Sequence, residues 1–343
     1  MKKKINIFEV AKKSGFSTSS VSRSISKPSS VAKKTRDKIL RIIKDTGYVH
    51  NSLAGSLKSG KSGFIIAIIP TLRDPIFTEY IRAIKEHLAE KGYELLIGVT
   101  DYSLEKEEEI IRKFLSYKPE GIITVGTQHT TYTNSILLAS KLPIVETWNI
   151  TDKPLDVVVG FSNFSAGYQI TDYLITLKYK KIAFATPDTN HMKIENRSKR
   201  RLRGYLSRIK EAQINPVIFY YSEPQDHKKC GSEILRQYNK DKSKVDSIIC
   251  GSEDSGIALL STILFHKMKV PQNIGVAAVG NAEITSLIHP QLTTIDFKAY
   301  EIGKIAAENL IARINNLEIK RRIFDVGIEL IKGDSTIKQK NNL

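Results

Sequence analysis

The sequence has few cysteines and no apolar run long enough to cross a membrane. Its 343 residues include two cysteines, Cys230 and Cys250, far apart and in no C-x-x-C spacing, so we expect neither a disulfide framework nor a metal site. The longest apolar run is FIIAIIP, whereas a membrane-spanning helix needs about 20 residues. The basic start, MKKKINIFEV, lacks the apolar stretch of a secretory signal. These features favour a cytoplasmic protein with reduced cysteines and no membrane contact.

Acidic residues are scarce at the start of the chain. Residues 1–60 contain 14 Lys and Arg against 3 Asp and Glu, a net charge of +11, while the other 283 residues contain 39 against 33, a net charge of +6. A basic segment attached to a nearly neutral body is typical of a nucleic-acid-binding domain. A disordered basic tail is the alternative, but the segment has the pattern of a folded one.

Three short helices are predicted within residues 6–47. Asn6 and Glu9 form a capping-box pattern before the first helix, and Gly15 ends it. Ser17 can cap a second helix, TSSVSRSIS, which Val21 and Ile25 would anchor. A third helix lies in SVAKKTRDKILRIIKDTG, with a predicted buried stripe of Ile39, Leu40, Ile42 and Ile43. The first two helices and their glycine-containing turn match a helix-turn-helix, whose second helix enters the DNA major groove.

This segment resembles the DNA-binding head of LacI/GalR-type repressors. The family pattern is present in EVAKKSGFSTSSVSR, in VAKKTRDKI and in GYVHNSLAGSL, where His50 replaces the usual proline. The resemblance implies that Thr18, Ser19 and Arg23 of the second helix read bases. It also implies that Asn51, Ala54 and Leu57 lie in a hinge helix, where the leucine is a minor-groove wedge. The DNA-binding residues expected on this basis are Ser17, Thr18, Ser19, Ser22, Arg23, Asn51, Ala54 and Leu57.

The stretch AGSLKSGKSG, at 54–63, also satisfies the P-loop pattern G-x-x-x-x-G-K-S. A P-loop needs a strand before the glycines and a helix after them. Here a predicted helix precedes and a strand, GFIIAIIP, follows, so we expect a flexible joint and no nucleotide cofactor.

From residue 62 the chain alternates apolar runs with amphipathic helices, twice over. Continuous apolar strands each followed by a helix indicate parallel sheets covered on both faces, with ligands at the carboxyl ends of the strands. In the resembled family such lobes form a periplasmic-binding-protein-like (type I) effector domain with three crossovers. We therefore expect a head at 1–50, a hinge helix and linker at 51–61, a first lobe at 62–161 and 294–322, a second lobe at 162–293 and 323–335, and a tail at 336–343.

Loops after the predicted strands supply the candidate effector contacts. The resemblance assigns an aromatic contact to Phe161 and a ligand-binding arginine to Arg201. Arg73 is either a second anion clamp or a surface charge, and Trp148 either a cleft residue or core. At the position of Ala282 many family members have an Asp that binds sugar hydroxyl groups, and this chain lacks that carboxylate. The full expected set is Arg73, Phe77, Trp148, Phe161, Arg201, Ser252, Glu253 and Ala282.

The segment PIVETWNITDKPLDVVVGFSN resembles the branch of the family that represses gluconate-utilisation operons. We accordingly expect a homodimeric, ligand-responsive repressor, associated with the nucleoid, that binds a pseudo-palindromic operator and a sugar-acid effector such as gluconate. No catalytic constellation stands out among the scattered histidines, so an enzyme is not expected. The alternatives are a small-molecule sensor without a DNA role and an enzyme that uses the cleft between the lobes.

Overall fold

The computed structural model describes residues 5–49, 62–188, 196–222, 226–241 and 244–337. The chain forms two compact units, Met1–Ser62 and Gly63–Leu343. The predicted hinge residues Asn51, Ala54 and Leu57, with most of the P-loop-like stretch, lie outside the described residues, and so does the end of the predicted tail from 338 onwards.

The first unit contains the three predicted helices, α1 (Ile7–Ser14), α2 (Thr18–Ser26) and α3 (Lys33–Thr46), with a 3-10 turn at Pro28–Ser30. Asn6 Oδ1 accepts from the Glu9 backbone N–H at 3.1 Å and caps α1. Gly15 ends α1 at φ +75°, a left-handed conformation that glycine adopts without strain. The helix-turn-helix and its cap therefore form as the sequence predicts.

The core of this unit is small and is built around Val10, Val21 and Ile39. Two details of the predicted core are wrong. Leu40 is 42% exposed, because its neighbour Ile39 takes the inward position on α3. On α2 the residue buried with Val21 is Ser24, three positions on, whose hydroxyl donates to the Ser20 carbonyl at 2.8 Å and so needs no outside partner.

The second unit is an α/β structure. Its described helices are α4 (Ile76–Ala89), α5 (Leu104–Leu115), α6 (Thr131–Ser140), α7 (Asn163–Thr176), α8 (Asn196–Glu211), α9 (His227–Lys240), α10 (Glu253–Phe265), α11 (Ile284–Leu287) and α12 (Ala299–Ile314). Its described strands are β1 (Phe64–Ile69), β2 (Glu94–Val99), β3 (Gly121–Val125), β4 (Ile144–Thr147), β5 (Val157–Gly160), β6 (Ile182–Pro187), β7 (Val217–Tyr221), β8 (Ser247–Cys250), β9 (Gly275–Val279), β10 (Thr293–Asp296), β11 (Ile323–Asp325) and β12 (Glu329–Ile331).

These strands form two six-stranded sheets, one in each lobe. The first has the order β11-β5-β4-β3-β1-β2 and the second β12-β10-β9-β8-β6-β7. Every pairing is parallel except that of β10 with the edge strand β12. Central strands such as β5 and β9 are buried along their whole length, which explains their continuous apolar sequences.

The chain crosses between the sheets after β5, after β10 and after β11. The first crossing lies at the predicted position, but the two later boundaries differ from the prediction. Strand β10, placed mainly in the first lobe by the sequence, pairs with β9 of the second; β11, placed in the second lobe, pairs with β5 of the first. Both strands are short, and backbone pairing, which the sequence pattern does not reveal, decides their lobe.

Helix α12 returns to the first lobe, as expected for a helix that crosses back. Gly303 lies so close to the Tyr80 carbonyl of α4 that an added Cβ would collide with it. Among the described residues, no helix combines the length and apolar content required to cross a bilayer.

Candidate functional site

Helix α2 presents small polar side chains and one arginine. Ser17 caps it by accepting from the Ser20 backbone N–H at 3.2 Å, and the Ser17 hydroxyl is also 2.8 Å from that of Ser19. Arg23 is exposed, and its Nε donates to the Ser19 carbonyl at 3.3 Å. Thr18 and Ser22 are half-buried. Small hydroxyl side chains allow a helix to approach base edges closely, and an arginine can donate a bidentate pair to guanine.

The second unit contains a cavity of about 230 Å³ between its lobes. Eight of the eleven described strands with parallel pairings contribute lining residues at or just after their carboxyl ends. Thr71 follows β1, Asp101 follows β2, Trp148 follows β4, Gly280 follows β9 and Phe297 follows β10. The predicted position of a ligand site, at the carboxyl ends of parallel strands, is therefore where the cavity lies.

Five of the eight expected effector residues line this cavity, namely Phe77, Trp148, Arg201, Ser252 and Glu253. Three do not line it. Arg73 is exposed, and its neighbour Asp74 faces the cavity instead. Phe161 is fully buried and stacks on Phe297 at 4.2 Å, so that Phe297 is the aromatic residue at the cavity wall. Ala282 is buried beyond the end of β9, outside the lining.

The Arg201 side chain is held in place by hydrogen bonds to the start of α7 and to the residue that follows β8. Its Nε donates to Oδ1 of Asn163 at 2.8 Å and its Nη1 donates to the Gly251 carbonyl at 2.8 Å. Its guanidinium also lies over the ring of Phe297, 4.9 Å from the centroid. Helices α7 and α8 cross closely here, because Gly167 faces the Arg201 backbone where an added Cβ would collide. The arginine is therefore preorganised at the cavity wall.

Two further arginines of α8, Arg197 and Arg200, lie close to Arg201. Arg197 lies one turn before Arg201, is 9% exposed and lines the cavity. Arg200 faces the first lobe, where its Nη1 donates to Oδ1 of Asn149 at 3.0 Å and to the Ile150 carbonyl at 3.1 Å. Sequence reasoning missed both, although the i, i+4 spacing of Arg197 and Arg201 was a usable signal.

Trp148 is 2% exposed and packs against Phe77, with ring centroids 4.9 Å apart, and against Tyr80 at 5.5 Å. It is thus both core and cavity wall. Its backbone has φ +68°, a strained conformation for this residue type. Among the described residues its indole Nε1 has no hydrogen-bond partner. A buried indole N–H at a cavity wall is available to a ligand oxygen.

Acidic side chains line the cavity beside the arginines. Burial and the charges of Asp254 and Asp74 raise the pKa of Glu253 well above its usual range, against weaker opposing effects of Arg201 and the Ile76 backbone amide. Burial and the charge of Asp74 raise the pKa of Asp254 to about 7. Asp74 and Asp254 were not expected from the sequence, although each adjoins an expected residue.

A separate polar cluster lies inside the first lobe. His129 Nδ1 is 2.8 Å from Oε2 of Glu107, and its Nε2 is 3.7 Å from Oε1 of Glu146. Burial alone would lower the pKa of His129, but the hydrogen bonds and charges of the two carboxylates raise it to about 9. The cluster is a buried ion triad that joins α5, the β3–α6 loop and β4.

The sequence matches two family models. Residues 6–51 match the bacterial regulatory proteins of the lacI family, and residues 171–336 match the periplasmic binding protein-like domain. The chain is 26% identical over 336 residues to the HTH-type transcriptional regulator GntR of Escherichia coli (strain K12), covering 98% of this chain and 100% of the relative. It is 28% identical to GntR of Pseudomonas aeruginosa, covering 96% of this chain and 94% of the relative.

A solved structure resembles almost the whole molecule. A LacI-family transcriptional regulator from Silicibacter pomeroyi, 27% identical, superposes with a TM-score of 0.88 and covers 97% of this chain and 100% of that chain. These matches confirm the predicted fold class and the predicted ligand-responsive, DNA-binding transcription repressor. Along almost its whole length the chain is thus similar to LacI-family transcriptional regulators.

Proposed function

We propose that this protein represses a sugar-acid utilisation operon and that D-gluconate, or a closely related sugar acid, is its effector. The observation that carries this proposal is the combination of polar groups at one cavity. Arg197 and Arg201 bring two guanidinium groups, and Glu253 brings a buried carboxylate without a hydrogen-bond partner among the described residues. A sugar acid has one carboxylate for the arginines and several hydroxyl donors for the acidic side chain.

The DNA-binding part of the proposal rests on α2 and on the hinge. We propose that Arg23 and the hydroxyl side chains of α2 read base edges in the major groove; the exposure of Arg23 and the small size of the hydroxyl side chains support this. Leu57, outside the described residues, is proposed as the minor-groove wedge. We propose that two copies of the chain bind one pseudo-palindromic operator in the cytoplasm, one head in each half-site, since two-fold symmetric proteins favour two-fold symmetric sites.

Effector control requires that the ligand prefers one arrangement of the lobes. The cavity is lined by both lobes, and Arg200 links them through Asn149 and Ile150. A ligand that bonds to both lobes stabilises one relative position, and it shifts DNA affinity only by as much as its affinity differs between the two states.

Isothermal titration of the full chain with D-gluconate and D-glucose tests the effector assignment. Glucose has the hydroxyl groups but not the carboxylate, so we expect gluconate to bind and glucose to bind at least about 10-fold more weakly. Arg201→Ala should remove gluconate binding. Arg73→Ala is the matched control, because Arg73 is exposed and outside the cavity lining. Equal binding of both sugars, or an unchanged Arg201→Ala variant, would show that the effector is not recognised as a carboxylate.

A further inference from the structure

Carboxylates from two separate segments meet at one part of the cavity. Asp74 comes from the β1–α4 loop of the first lobe, and Glu253 and Asp254 come from the start of α10 in the second. Tyr102 Oη donates to Oδ2 of Asp74 at 2.9 Å and fixes that side chain. Asp101 also lines the cavity, but its carboxylate already forms an ion pair with Lys106, 2.8 Å from Oδ2 to Nζ.

Glu253 is the deepest of the three. It is 3% exposed. The Ile76 backbone N–H lies near enough to oppose the rise in the pKa of Glu253, but within the described part of the chain no donor reaches either carboxylate oxygen in good hydrogen-bonding geometry. A Cβ added at Gly280 would lie 2.8 Å from Oε2 of Glu253, so the glycine leaves room for this carboxylate. An unpartnered buried carboxylate is costly, and a donor on a bound molecule would remove that cost.

Where two of these groups are ionised they repel each other, and the raised pKa values of Glu253 and Asp254 mean that each holds its proton to a higher pH than a free carboxyl group does. Burial and then the charge of Asp74 raise the pKa of Asp254, and Glu253 experiences the charges of both neighbours. A further anionic group placed among them would add to this repulsion, whereas a hydroxyl group would donate a hydrogen bond. In the residues that the structure describes, no three His, Cys, Asp or Glu side chains are arranged to hold a metal ion.

We propose that Asp74, Glu253 and Asp254 form an acid subsite that accepts hydrogen bonds from effector hydroxyl groups and makes the cavity select sugar acids with one carboxylate over those with two. This inference rests on the proposed sugar-acid effector. The single carboxylate of an aldonate pairs with Arg197 and Arg201, and its hydroxyl groups face the acid subsite. In an aldarate the terminal hydroxyl is replaced by a second carboxylate, which removes a donor and adds a charge of the wrong sign.

The test is isothermal titration of the full-length protein with D-gluconate and with D-glucarate, which differ at the terminal carbon alone. The variants are Asp254→Asn and Asp74→Asn, which remove the charge at nearly constant shape. Glu109→Gln, at an exposed position of α5, is the control for the loss of one negative charge elsewhere.

The wild-type protein is expected to bind gluconate at least about 10-fold more tightly than glucarate. Each Asn variant should reduce that ratio by about 3-fold or more, and Glu109→Gln should leave it unchanged. Equal affinities for the two ligands in the wild-type protein would overturn the acid subsite and leave the sugar-acid effector standing. Ratios that stay at the wild-type value in both Asn variants would also overturn it. Failure of gluconate to bind at all would overturn the proposed effector, and the subsite with it.

Discussion

The Arg201 side chain donates from Nε to Oδ1 of Asn163 at 2.8 Å, and Asn163 in turn donates from Nδ2 to the Trp148 carbonyl at 3.0 Å. Asn163 is fully buried at the start of α7, just after the first crossing between the lobes. The pair therefore connects the proposed effector-binding arginine of the second lobe to the cavity wall of the first.

Replacing Asn163 with Ala should weaken effector binding although this side chain does not line the cavity. The variant removes an acceptor of the Arg201 guanidinium, and hydrogen bonds to charged groups are worth about 1.5–3 kcal/mol, so we expect gluconate affinity to fall by about 10-fold or more. Isothermal titration measures this. Asn309→Ala on α12 is the matched control, since the Asn309 side chain donates to the Ile305 carbonyl of its own helix. An Asn163→Ala variant that folds and binds gluconate like the wild type would show that Arg201 needs no such support.

Arg200 should affect effector binding indirectly, because it holds the two lobes in their observed relative position. Its two hydrogen bonds hold Asn149 and Ile150 of the first lobe against α8 of the second. Arg200 is half-buried, so we expect Arg200→Ala to destabilise this arrangement of the lobes by about 1 kcal/mol. Gluconate binding should weaken about 5-fold as a result. Arg203→Ala, an exposed position on the same helix, should bind as the wild type does. Equal affinities in the two variants would rule out a role for this link.

Arg23 should contribute to operator selectivity. A bidentate arginine–guanine pair discriminates by about 1–3 kcal/mol, so Arg23→Ala should weaken operator binding about 10-fold to 100-fold and reduce the preference over non-operator DNA. Arg41→Ala removes the same charge from an exposed position on α3 and should keep that preference. Fluorescence anisotropy with both duplexes, at matched salt, measures the ratio. A preference unchanged in Arg23→Ala would place base reading elsewhere.

The stability of the second unit should fall as the pH rises from about 7 to 9. The pKa of His129 is raised from 6.5 to about 9 in the folded protein, so the folded state holds its proton more tightly than the unfolded state does. The resulting stabilisation is complete below about pH 6.5 and is lost as the pH rises through 9. It amounts to about 3 kcal/mol at most.

Denaturant unfolding followed by the fluorescence of Trp148 measures this, because the chain contains one tryptophan and that residue is buried in the second unit. In His129→Gln the decline between pH 7 and 9 should be much smaller. The wild-type decline persisting in that variant would assign the pH dependence to another group.

The sequence predicted the elements of this fold well because their signals are local. The caps of α1 and α2 and the buried strand β1 follow from residue type and spacing alone. The lobe assignment of β10 and β11 was wrong because it depends on backbone pairing between segments far apart in the chain.

The cavity was predicted less completely for a similar reason. Residues at strand ends, such as Trp148 and Ser252, could be found from the order of elements. Which member of a neighbouring pair faces inward, as with Arg73 and Asp74, depends on the loop conformation. Phe161 and Phe297 stack, and the geometry of the stack decides that Phe297 is the one exposed to the cavity.

The central claim, that a sugar acid controls DNA binding, is tested most directly by one titration. The full-length protein is titrated into a fluorescent palindromic duplex selected from a random library, with no ligand, with D-gluconate or with D-glucose. We expect tight binding of the selected duplex and a shift in its affinity with gluconate that glucose does not produce. Tight binding that is the same with and without gluconate would contradict the proposed effector, and failure to select any duplex would contradict the proposed role of α2.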